Sequence, residues 1–176
     1  MAPATITALS DLTDLLLTVS STALATTTAG TPALAYVSPA SPAFDCCPAL
    51  IVYCAALTEE VTSPLSPLAS TGMRDKYGRI ILASFVISAL RCAPRVGQQG
   101  QVLIADMTTV AHEVQEDGWA LWNGITCAIK NGIFGDLCSD IHIDRGQVIA
   151  EQGGCVGWQF AIRSEIPGIP CVESSS

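Results

Sequence analysis

A chain of 176 residues with 49% hydrophobic and only 14% charged positions can bury a substantial core, and its mean hydropathy of +0.44 is high for a monomer facing water all round. Eight Lys and Arg against sixteen Asp and Glu leave a net charge of −8, a surface that repels phosphate and argues against tight nucleic-acid binding. A membrane span is excluded too: the apolar run Ile80 to Leu90 falls far short of the roughly 20 residues a bilayer demands, and Ser84 and Ser88 interrupt it.

The excess apolarity is therefore expected to lie in buried subunit interfaces. No Lys or Arg precedes Arg74, so the positive flank of a secretory signal is missing and synthesis in a cytoplasm is expected. A single domain, 1–176, accommodates the whole pattern.

The first element is a helix from Ala4 to about Thr26, within an N-terminal helical unit 1–28. Ile6, Leu9, Leu12, Leu16, Val19 and Leu24 recur at helical intervals, and Asp11 and Asp14 lie in the first half, where the dipole favours negative charge. Residues 29–48 carry four prolines and no period, and read as an extended excursion. Leu50 to Val61 begins with β-branched and aromatic residues and reads as a strand. Two prolines and a glycine then break the chain before "MRDKYGR", where Arg74, Lys76 and Arg79 form its one dense basic cluster.

Arg79 to Cys92 is apolar on both alternating sets of positions, as suits a central strand covered on both faces. A second helix is expected from about Leu103 to Lys130, ending at Asn131-Gly132. Gly118 and Gly124 weaken it, by roughly 1 kcal/mol each relative to Ala, and point to a close approach of another element or a kink. The remainder reads as a hairpin turning at Glu151 to Gly154. Trp158, Phe160, Ile162 and Ile166 share one face of its second strand, with Gln159, Arg163 and Glu165 on the other. Residues 171–176 read as a frayed tail.

The order predicts an α+β fold, a mostly antiparallel sheet of about four or more strands packed against two main helices. Trp119, Trp122, Trp158 and Phe160 are expected to anchor its core.

Eight cysteines, at 46, 47, 54, 92, 127, 138, 155 and 171, include no Cys-x-x-Cys pair. A zinc site is not expected, nor is a disulfide framework, and most should act as small buried hydrophobes. Polar residues that converge are few. His112 lies beside Glu113 and Glu116 on a helix, as a solvated side chain. Asp140, His142 and Asp144 share one strand face and are the best metal candidate, although three such residues usually form the solvent side of an edge strand. Glycine-loop, nucleophile-elbow and His-Glu-x-x-His motifs are missing, so neither an enzyme nor a cofactor is expected.

Three segments carry a likeness: "FDCCPALIVYCA" from Phe44, "EDGWALWNGI" from Glu116 and "GGCVGWQFAIRSEI" from Gly153. Together they cover about a quarter of the chain. The set resembles the tail-terminator and neck proteins of actinobacterial-type long-tailed phages. The resemblance implies an α/β ring of six identical subunits on the finished tail tube. Such a ring stops tube polymerisation, joins tail to head and lets DNA through its lumen without tight binding. It further implies a place in the virion, with the tail tube protein and a head-to-tail stopper or connector as partners. Within the ring, Arg74, Lys76 and Arg79 are expected to face acidic groups such as Glu59 and Glu60 of a neighbour. Two other readings stay open: a head-to-tail stopper or adaptor using the 62–78 segment as a plug, and a ligand-binding or regulatory domain with a pocket around Trp119, Trp122 and Trp158.

Overall fold

The computed structural model describes residues 8–41, 48–61, 79–94 and 104–167. Its elements are α1 (Ala8–Leu24), β1 (Leu34–Val37), β2 (Ala49–Val61), β3 (Arg79–Cys92), α2 (Ile104–Lys130), β4 (Asp140–Gln152) and β5 (Cys155–Pro167). The strands form one sheet in the order β1-β2-β3-β5-β4, antiparallel except that β1 runs parallel to β2. This is the expected α+β arrangement of two helices on a mostly antiparallel sheet. Residues 42–47 of the proline-rich excursion, the basic residues Arg74 and Lys76, and the 171–176 tail lie outside the described residues.

The sheet is built around β3, whose alternate residues are buried on both faces. Phe85, Ile87 and Ala89 meet the helices, while Ser88 and Leu90 are buried on the opposite side with Ala49, Ile51, Tyr53 and Cys155. A strand apolar at both parities needs cover on both faces; β3 has it from Ile87 to Leu90, while Leu82, Ser84 and Val86 on the far face are half-buried. On the helical side, Leu50 and Val52 of β2 and Phe160 and Ile162 of β5 complete the floor on which α1 and α2 lie.

Helix α1 buries the row Leu12, Leu16, Ser20 and Leu24, four residues apart, on one face. Its many Ser and Thr residues do not stop it early, because Thr13, Thr18 and Thr22 donate their hydroxyls to the carbonyls four residues before them. The chain leaves the helix through Ala25 to Gly30, where Gly30 takes a φ of +67° that other residues resist. Part of the excursion then adds a strand that periodicity does not reveal. β1 has only four residues, all exposed, and its place comes from hydrogen bonding to β2.

The hairpin turn is tighter than expected. β4 continues to Gln152 and β5 begins at Cys155, leaving Gly153 and Gly154 at φ +61° and +76°. Two positive φ values in a two-residue loop match the twist of the flanking strands.

Helix α2 corrects the aromatic expectation. Its buried stripe is Val114, Asp117, Gly118, Leu121, Ile125 and Ala128. Trp119 and Trp122 sit on the flanks of that stripe and are 69% and 41% exposed, so neither anchors the core, whereas Phe160 is 1% exposed. The bulk comes from the sheet instead. A Cβ on Gly118 would stand 2.4 Å from the Trp158 indole, so the glycine is the space the β5 tryptophan occupies. Trp158 stacks on Phe160 at 5.7 Å between centroids, and Trp122 tilts against the same ring at 6.4 Å. Gly124 does the same for α1: a Cβ there would lie 2.5 Å from that of Ala23.

Asp117 stands in the middle of this buried stripe, and its partner is Arg91 of β3. The guanidinium Nε donates to Oδ2 at 2.7 Å and Nη2 donates to Oδ1 at 2.9 Å, both side chains being buried. Nη2 also donates to the Gly30 carbonyl at 2.6 Å, and Thr27 Oγ1 donates to Asp117 Oδ1 at 3.2 Å. One ion pair thus ties β3, α2 and the turn after α1.

Removing one buried partner strands the other charge. Asp117→Ala is expected to cost about 3–5 kcal/mol in urea unfolding, a large share of a typical domain's stability. Replacing the pair together, by Arg91→Met and Asp117→Leu, should cost clearly less than Asp117→Ala.

Candidate functional site

The anchor holds the end of α1 against α2, and the same corner is closed by a second bond. The Thr28 amide donates to Glu116 Oε2 at 3.0 Å, one residue before Asp117. Beyond this corner the two helices touch through Ala23 and Gly124, with no large side chain between them. Their outer surfaces therefore leave a groove of about 860 Å³ running along the pair. The helices run antiparallel, so Leu15 and Val19 of α1 lie toward Cys127, Asn131 and Ile133 at one end of it, and Trp119 and Ala120 of α2 lie toward Thr26, Thr27, Thr28 and Glu116 at the other. The walls are largely apolar, with threonines of α1 and Asn123 adding polar points.

Charge around the groove is one-sided. α1 carries Asp11 and Asp14 and no base, while α2 carries Asp106, Glu113 and Glu116 against a single base, Lys130, in its last turn, Asp117 being buried against Arg91. Glu116 itself lines the groove, and among the described residues no Lys or Arg does. Its carboxyl is held below the usual carboxylate range, first by the Thr28 backbone N–H, then by the Thr28 side chain, with a smaller contribution from the charge of His112 one turn earlier.

The three tryptophans do not line one groove together. Trp119 lines the groove toward α1, whereas Trp122 and Trp158 pack with Phe160 at the sheet.

The face of β4 carrying Asp140, His142 and Asp144 does bring those residues together, but not around a point. His142 Nε2 lies 3.0 Å from Asp144 Oδ1, and Nδ1 lies 3.8 Å from Asp140 Oδ2. Carboxylates on opposite edges of one imidazole do not converge on a cation. Arg163 of β5 approaches the second oxygen of Asp144 at 3.4 Å, where a cation would have to sit. Among the described residues, no group of three or more His, Cys, Asp or Glu is arranged to hold a metal.

The register places Glu60 opposite Ile80, Glu59 opposite Ile81 and Val61 opposite Arg79. Glu59, Glu60 and Arg79 thus share the end of one β2–β3 hairpin within a single subunit. Of the cysteines expected to be buried, Cys138 and Cys155 are; Cys54 is half-buried, and Cys92 and Cys127 are exposed, Cys127 within the groove. Burial pushes the Cys54 and Cys138 thiols up.

The sequence did not point to the groove or to the Arg91–Asp117 anchor. The signal for the anchor was an aspartate at three- and four-residue spacing from Val114 and Leu121, inside an apolar stripe. The signal for the groove was the small residues Ala23, Ala120 and Gly124 where two helices had to meet.

No protein-family model matches the chain, and no curated protein matches it.

The Glu116 contact sets a pH dependence. Because its pKa is lowered in the folded chain, the contact contributes fully above the ordinary glutamate range and is lost as pH falls through that lowered pKa. In an NMR titration the Thr28 amide resonance should shift with a midpoint below the ordinary glutamate value, and Glu116→Gln should abolish that transition.

Proposed function

We propose that this chain is a structural subunit of a long-tailed phage particle: a tail terminator that caps the finished tube as a ring of identical subunits and presents a surface to the head. The observation that carries the assembling role is the apolar groove on the outside of the helical layer, with Trp119 exposed at its wall. A tryptophan left 69% exposed beside such a groove is the kind of surface that subunit contacts cover. The phage assignment itself rests on the three sequence segments that resemble neck and terminator proteins.

Charge agrees with that role. Sixteen acidic residues against eight basic ones suit a lumen through which DNA slides without being held. The capsid-side alternative, a stopper that retains packaged DNA, calls for a different loss of function.

Electron microscopy of a lysate made with the gene disrupted separates the two. Overlong tails unattached to DNA-filled heads are expected for a terminator. Tails of normal length beside emptied heads would instead assign a stopper, and intact infectious particles would overturn both.

A further inference from the structure

We infer that the α1–α2 groove is the seat for a second copy of this chain, and that the occupant is the neighbour's 62–78 segment. The inference rests on reading the chain as an assembling subunit, but not on its being a phage protein.

Complementarity is the first argument. The groove is apolar along its walls and acidic around them, with Glu116 in its lining and Glu113 one turn earlier on the same helix. The 62–78 segment is complementary: it offers Leu65 and Leu68 and then Arg74 and Lys76 on either side of Asp75, a net positive charge, and no other Lys or Arg occurs in the chain before Arg79. Leucines for the walls and two cations for the carboxylates meet both requirements in one stretch.

Reach is the second argument, and it makes the contact of the two cations with the Glu116 corner intermolecular. Val61 and Arg79, the two residues from which the segment springs, pair with each other at one end of β3. Arg91 sits at the other end of that strand, about 40 Å away at the usual rise per residue. Glu116 lies beside Arg91, since its neighbour Asp117 holds the guanidinium and Thr28, its own partner, precedes the Ala29 and Gly30 carbonyls that the guanidinium also faces. A segment of this length, tethered at both ends, extends at most about 30 Å from its roots. It falls short of its own Glu116 corner, but a neighbour's segment has no such tether. A contact between two different surfaces of the same chain is head-to-tail, and repeats until a ring closes or a filament grows.

The test uses the full chain and two probes. Wild type is run over a concentration series by size-exclusion chromatography with light scattering, beside Arg74→Glu/Lys76→Glu and Trp119→Ala. Trp119 is exposed, so its loss should leave the fold intact, which circular dichroism checks. A fluorescein-labelled peptide of residues 62–78 is titrated with each protein by anisotropy. The inference expects saturable peptide binding that weakens with salt and falls at least about tenfold in Trp119→Ala, as for a central interface residue. It also expects both variants to lose self-association. Mixing Glu113→Lys/Glu116→Lys with Arg74→Glu/Lys76→Glu should restore association, because each reversed surface then meets its complement.

Oligomers that ignore both changes would overturn the inference while leaving the terminator reading standing. A chain that stays monomeric and fails to bind the peptide at about 100 μM would overturn it as well. Particles unaffected by gene disruption would remove the phage assignment without touching the contact.

Discussion

The Arg91–Asp117 pair is the constraint on which the arrangement of the layers depends. A buried carboxylate in the middle of a helix is tolerated only if a cation is fixed opposite it, and that cation is fixed by the central strand. The guanidinium has donors to spare, and it spends them on the carbonyls of the turn that follows α1. Helix, strand and turn are therefore positioned by one planar group, whose fork geometry accepts little rotation. Apolar packing alone would let α2 slide on the sheet by small steps; an ion pair with two short bonds does not. The glycines work in the same direction. Gly118 takes in Trp158 and Gly124 takes in Ala23, so the contacts of α2 below and beside it are both set by missing side chains.

The outer surface follows from this inner arrangement. Two helices brought together on small residues leave their larger side chains to diverge outward, and a groove opens between them. Trp119 lines that groove because the stripe facing the sheet is already filled by Leu121, Ile125 and the incoming Trp158. What looks from the sequence like a pair of core tryptophans is a division of labour, with Trp122 leaning on Phe160 at the sheet and Trp119 turned to the outside.

Much of the architecture could be read from patterns of period two and 3.6. The double-sided apolarity of Arg79 to Cys92 identified the central strand, and the alternation of Trp158, Phe160, Ile162 and Ile166 gave the inward face of β5. Where the reading fell short, the information was not local. β1 is held by backbone bonds to a strand that follows it in sequence, and four exposed residues contain no period. The burial of Asp117 depends on an arginine 26 residues away. Trp119 and Trp122 were assigned by residue type, when the decisive fact was Gly118 between them and the core. For the candidate site, composition indicated that apolar surface had to be covered, but not which surface. Only the meeting of two helices on Ala23 and Gly124 located it.

The two outer strands of the sheet carry a consequence of their own. β4 forms one border along its full length, and its ladder is broken between Ile143 and Arg145 and again between Ile149 and Gln152; on the opposite side the four-residue β1 covers β2 only from Ala49 to Val52, and no strand pairs with the rest of that edge among the described residues. Irregular pairing and charged side chains such as Asp140, Asp144 and Arg145 are means by which proteins keep a sheet edge from recruiting strands from another molecule. Along β4, copies of this chain are thereby steered away from open-ended backbone pairing and toward contacts made by side chains, which can be matched, counted and closed.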